Sequence, residues 1–116
     1  MAIRLAKCSF PRDNSWTAGD YSLRFTRLGN LELWDEAANH LLWQSKTTGA
    51  AVGFTMQDNG NLVIYGENEV PLWASHSGGG DGGAYLVLQD DGNLVIYSRD
   101  DMPLWSTDTN PEQQQS

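Results

Sequence analysis

The sequence predicts an all-β protein made of three copies of one strand-and-turn unit, and three observations predict it. Gln57-Asp58-Asn59-Gly60-Asn61-Leu62-Val63-Ile64-Tyr65 recurs as Gln89-Asp90-Asp91-Gly92-Asn93-Leu94-Val95-Ile96-Tyr97. The register then holds through Pro71-Leu72-Trp73 and Pro103-Leu104-Trp105, with eleven identities in seventeen positions, so the chain carries an internal repeat. A worn third copy lies earlier, as Thr26-Arg27-Leu28-Gly29-Asn30-Leu31-Glu32-Leu33-Trp34 followed by Leu41-Leu42-Trp43. Asn-Gly and Asp-Gly turn signals punctuate short β-prone runs, and no segment has a helical period.

Each copy reads as strand, turn, strand, turn, short strand, with the copies near residues 20–45, 52–75 and 84–107. Val52 to Gln57 and Tyr85 to Gln89 lead into the first turns, where Gly29, Gly60 and Gly92 are expected at positive φ. Leu62 to Tyr65 and Leu94 to Tyr97 follow, rich in β-branched and aromatic residues. Polar second turns come next, Gly66 to Glu69 and Ser98 to Asp101. Pro71 and Pro103 then begin the last strands, where a missing N–H is tolerated. Alternation points Leu31 and Leu33, Leu62 and Ile64, and Leu94 and Ile96 inward. Trp43, Trp73 and Trp105 hold equivalent places, so a pseudo-threefold arrangement gathers them at the centre; Trp16 and Trp34 are expected partly exposed. The stretch Gly78 to Gly83 reads as a flexible loop between sheets. It follows no strand into a helix, so it is no phosphate loop.

At 116 residues the chain fits one domain, 1–109, with a polar tail at 110–116. Its net charge of −8 is uneven: residues 1–30 sum to +3 and residues 31–116 to −11. An acidic body is a poor surface for nucleic acid, which needs clustered Lys and Arg. The basic N-terminal third reads as a solvated face. Cys8 is the single cysteine, read as a small, partly buried side chain that forms no intramolecular disulfide. The N-terminus lacks the apolar run of a signal peptide, and no stretch suits a membrane span. The expectation is a cytoplasmic protein, or one released without a visible signal, with no membrane insertion. Catalytic residues, metal ligands and cofactors are expected to be absent. The acids around Asn59 and Asp91 lack the flanking helices and distal Glu of a calcium loop. His40 and His76 have no ligand neighbours, no nucleophile motif is present, and Asp90-Asp91 and Asp100-Asp101 sit in solvated turns.

The outward residues of the two better copies form the candidate site: Gln57, Asn59, Asn61, Val63 and Tyr65, and Gln89, Asp91, Asn93, Val95 and Tyr97. Amides and carboxylates supply directed donors and acceptors. Valine supplies a dry patch, and tyrosine an apolar body with a polar tip. That mixture suits a sugar, but turn chemistry accounts equally for Asn-Gly and Asp-Gly, so the residues alone leave both readings open.

The pattern Gln-x-Asp-x-Asn-x-Val-x-Tyr resembles the mannose-site signature of the monocot (bulb-type) mannose-binding lectins. Gln89, Asp91, Asn93, Val95 and Tyr97 match it in full, and the second copy departs only at Asn59. The resemblance covers roughly residues 19–108. It implies a β-prism (type II) of three four-stranded antiparallel sheets that binds mannose-containing glycans or glycoproteins without metal. It also implies that Gln89 meets the sugar O3, Asp91 and Asn93 the axial O2 and Tyr97 the O4, with Val95 against ring carbons. Dimers formed by exchange of C-terminal strands are implied too, with Pro103 to Thr109 as the candidate segment. The lone cysteine places the chain nearer to cysteine-poor, non-plant members. Copy one keeps only Asn30 of the five, with Thr26, Leu28, Glu32 and Trp34 at the other places, so no mannose is expected there. Two alternatives remain: a lectin-like antibacterial (bacteriocin-type) protein, and an interaction scaffold with vestigial sugar sites.

Overall fold

A computed structural model describes residues 2–6, 8–80 and 82–109, with the backbone alone for Cys8. The reading of the Cys8 side chain and that of the tail at 110–116 therefore lie outside the described residues.

Twelve strands form three four-stranded antiparallel sheets. Copy one supplies β4 (Tyr21–Phe25), β5 (Leu31–Asp35) and β6 (His40–Gln44). Copy two supplies β7 (Gly53–Met56), β8 (Leu62–Tyr65) and β9 (Pro71–Ala74). Copy three supplies β10 (Tyr85–Leu88), β11 (Leu94–Tyr97) and β12 (Pro103–Ser106). Gly29, Gly60 and Gly92 take positive φ in the first turns. At Gly29 the need for glycine is double, because a Cβ would stand 2.5 Å from the Ala51 carbonyl oxygen. The Gly78 to Gly83 connection is tied down at two points: Gly80 N donates to Asn59 O at 3.0 Å and Gly83 N to Asp58 Oδ1 at 2.9 Å.

The fourth strand of every sheet comes from the N-terminal segment. β1 (Ile3–Ala6) pairs with β10, β2 (Cys8–Pro11) with β7, and β3 (Asn14–Ala18) with β4. The repeat pattern does not show this, since these three short runs lie outside it. The segment crosses from sheet to sheet as it advances, so all three sheets are complete within one chain.

The inward residues behave as alternation predicts. Leu31, Leu33, Leu62, Ile64, Leu94 and Ile96 are fully buried beside Leu23, Phe25, Phe54, Met56, Leu86 and Leu88. Each such side chain contributes about 1.5–3 kcal/mol relative to exposure. Trp43, Trp73 and Trp105 meet edge-to-face, with centroids 5.4, 5.8 and 5.6 Å apart, a favoured geometry for ring quadrupoles. They are only half-buried, against one side of the core. Trp16 and Trp34 are partly exposed, as expected. Trp16 and Phe10 join a second aromatic cluster with Phe54, which fastens the N-terminal segment to the core.

Candidate functional site

In copies two and three the five candidate residues spread over one hairpin. Gln57 follows β7 and Gln89 follows β10, and their N–H groups donate to Asn61 O and Asn93 O, both at 2.9 Å. Val63 with Tyr65, and Val95 with Tyr97, lie on the face opposite the core leucines. The register shifts between Ile64 and Tyr65 and again between Ile96 and Tyr97, with the extra residue, Leu72 or Leu104, on the last strand of each copy.

The three asparagines share a structural role that the five-residue motif does not disclose. Asn30 Oδ1 accepts from Thr47 N (3.1 Å) and Ser45 Oγ (3.3 Å); Asn61 Oδ1 accepts from His76 N (3.0 Å) and Ser75 Oγ (3.2 Å). Asn93 Oδ1 accepts from Thr109 N (3.3 Å) and Thr107 Oγ1 (3.2 Å). The second hydroxyl of each copy, on Thr47, Ser77 and Thr109, donates to Gly29 O, Gly60 O and Gly92 O. This staple between first turn and last strand explains why copy one keeps Asn30 after losing the rest of the motif. Its signal is legible as Trp-x-Ser/Thr-x-Ser/Thr after each copy: Trp43, Ser45, Thr47; Trp73, Ser75, Ser77; Trp105, Thr107, Thr109. With the carbonyl oxygen so used, only the amide Nδ2 can serve a ligand, and only as a donor.

The copies differ in what that amide meets. Asn30 Nδ2 donates to Glu32 Oε2 (2.8 Å) and Gln44 Oε1 (3.0 Å), while Trp34 Nε1 donates to Glu32 Oε1 (2.8 Å). Arg24 lies over the Trp34 ring at 4.6 Å and pairs with Glu36 at 2.5 Å. The Arg24 guanidinium and the Ser22 hydroxyl hold the Glu36 carboxyl below its ordinary range. Copy one is thus closed by its own side chains. Among the described residues, no acceptor meets Nδ2 of Asn61 or Asn93.

Asn30→Ala removes a buried acceptor and strands the Thr47 N–H, so we expect a loss of about 1–3 kcal/mol. Urea unfolding measures it, and ligand binding at the other two copies should not change.

Asn59 Oδ1 and Asp91 Oδ1 also cap their turns, accepting from Asn61 N (3.1 Å) and Asn93 N (3.0 Å). In copy two, Gln57, Val63 and Tyr65 line a hollow of about 210 Å³ with Ser9, Thr55 and Glu69. Asn59 and Asn61 do not line it; Asn59 lines another cleft, of about 350 Å³, with Asp58, Ser77 and Arg99. Tyr65 lies over Gly53, where a Cβ would stand 2.6 Å from the phenol oxygen. In copy three the corresponding place is Tyr85, stacked on Tyr97 with centroids 5.6 Å apart. The Tyr85 hydroxyl donates to Asp101, and that bond to a carboxylate holds the phenol above its ordinary pKa. Gln89 Nε2 donates to the Tyr97 oxygen at 2.6 Å, which leaves the Tyr97 O–H free to donate outward.

No three His, Cys, Asp or Glu side chains among the described residues are grouped to hold a metal ion, and no helix is long and apolar enough to cross a membrane. What the two open copies offer is a shallow set of directed donors and acceptors around a valine, half-buried at Val63 and buried at Val95.

No protein-family model matches the chain, and no curated protein sequence does. Solved structures match over nearly its whole length. Monomeric monocot mannose-binding lectins from Gastrodia elata superpose with a TM-score of 0.82 at 36% identity, covering 94% of this chain and 97% of theirs. A Marasmius oreades lectin gives 0.82 at 30% identity, covering 91% and 90%. The mannose-specific agglutinin of snowdrop (Galanthus nivalis) bulbs, solved with methyl-α-D-mannoside, gives 0.73 at 29%, covering 84% and 88%. The three antiparallel sheets are the β-prism of these structures.

Proposed function

The chain belongs to the monocot mannose-binding (bulb-type) lectin family, and from that premise we propose that it binds mannose-bearing glycans through two metal-independent sites, on copies two and three. It is a carbohydrate-binding lectin, not an enzyme. The observation that carries the two-site reading is the contrast among the asparagine amides: closed by Glu32 and Gln44 in copy one, open at Asn61 and Asn93. In the fuller site, Gln89, Asp91, Asn93 and Tyr97 hold hydroxyls while Val95 packs on ring carbons. Gln57, Asn61, Val63 and Tyr65 do the same in copy two, with Asn59 in the place of the carboxylate. Glucose carries O2 in the other direction, which leaves Asp91 and Asn93 with an unmade bond, a loss of about 1–3 kcal/mol.

Four polar contacts of about 1 kcal/mol each place one sugar on the order of millimolar affinity. Useful binding then comes from two sites on one rigid body engaging a branched glycan together. In the single chain β12 pairs within its own sheet, and exchange of Pro103 to Thr109 between two chains would double the number of sites. We read residues 1–109 as one lectin domain, and Cys8 as the mark of a cysteine-poor member. Calorimetry with methyl α-mannoside in the presence of a chelator tests the reading. Weak binding that exceeds that of glucoside and galactoside is expected, and binding that requires calcium overturns it.

A further inference from the structure

The two open sites share a motif but not a rim. Across the sheet, Val63 is flanked by Thr55 and then Ser9, whose hydroxyls bond each other at 2.8 Å. Val95 is flanked by Val87 and then Arg4. Copy two has Gly53 beside its tyrosine and places Glu69 at the edge of the hollow. Copy three has Tyr85, whose hydroxyl engages Asp101, the residue that corresponds to Glu69. The Arg4 guanidinium lies 3.7 Å from the centre of the Tyr85 ring, and Tyr85 stacks on Tyr97. One rim therefore carries a carboxylate, Glu69, with no partner among the described residues, the other an exposed cation.

A guanidinium stacked on a ring uses its face and keeps its N–H edges for a ligand. Among the described residues, Arg4 has no carboxylate within 4.0 Å, and the nearby Asp101 is already engaged by a phenol. Those edge donors form a planar fork that matches two oxygens of a phosphate, sulfate or carboxylate. The stack Arg4–Tyr85–Tyr97 also fixes distance: the cation stands one aromatic ring beyond the tyrosine that bounds the mannose site, about the reach of a ring substituent or a neighbouring sugar.

Resting on the two-site reading above, we propose that the copy-three site selects mannosides that carry an oxyanion next to the mannose, with Arg4 on Tyr85 as the determinant, whereas the copy-two site takes neutral mannose. The chain then joins two different glycan ends instead of two like ones.

The test is a titration of the full chain with methyl α-mannoside, its 6-phosphate, its 6-sulfate and the corresponding mannuronoside, read by NMR through the amides of Val63 and Val95 separately. At Val95 at least one acidic ligand should bind about fivefold more tightly than the neutral one, the size of one partly exposed charge-assisted contact. Which one identifies the oxyanion. At Val63 none should gain. Arg4→Gln should bring the acidic-to-neutral ratio at Val95 to about one, and Arg12→Gln, a distant basic residue, should leave it unchanged. Equal ratios at both sites, or a ratio that survives Arg4→Gln, overturns the inference alone. No binding of the neutral mannoside at either valine overturns the two-site reading and the inference with it.

Discussion

Trp73→Ala is expected to lower stability by about 3 kcal/mol and the midpoint of thermal unfolding by about 15 °C. Trp73 touches both Trp43 and Trp105 edge-to-face, so truncation breaks two of the three ring contacts and opens a gap where the three sheets meet. The indoles are half-buried, which sets the value at the low end of the range for buried aromatics. Trp43→Ala and Trp105→Ala should match it, since each also holds two of the three contacts. Trp34→Ala, on the closed copy one, should cost far less. Equilibrium unfolding in urea compares them directly, and a Trp73→Ala protein as stable as the parent would show that the three rings do not bind the sheets together.

Replacing Tyr65 and Tyr97 together with Phe should nearly abolish agglutination of mannose-rich cells. Each change deletes one hydroxyl, a loss of about 1 kcal/mol and roughly fivefold at one site. Crosslinking depends on both sites at once, so the losses multiply. Either single change should weaken agglutination only modestly. Glu32→Val is the informative companion: it releases Trp34 Nε1 and one bond from Asn30, costing some stability, yet should leave agglutination intact. Normal agglutination by the double mutant, or its loss in Glu32→Val, would move the sites elsewhere.

The hairpins are legible because turn chemistry and alternation agree there. An Asn-Gly or Asp-Gly pair between β-branched runs has one economical conformation, and the inward leucines follow from it. The outer strands are not legible for an equally physical reason. Ile3–Ala6, Cys8–Pro11 and Asn14–Ala18 are too short for periodicity to register, and they belong to no repeat. β1 and β2 become strands on the edges of β10 and β7, which are distant in sequence, while β3 pairs with β4 across the two-residue turn at Gly19-Asp20. The site shows the same division. All ten candidate residues can be found from the motif. The turn staple of Asn61 and Asn93 cannot be told from the motif alone, because it calls for the same side chain as the proposed sugar contact. Arg4 is likewise invisible as a rim residue, since only strand register sets it beside Val87.

The N-terminal segment has a consequence for how the protein is made. Ile3 pairs with Leu88, so β1 waits for β10, far later in the chain, before it has a partner. Contacts of such sequence separation fold slowly, because the loop they close must be ordered before the contact repays it. Until β10 arrives, β1 stays unpaired, an open edge prone to join other chains. The final step is then the docking of β1 onto the third hairpin.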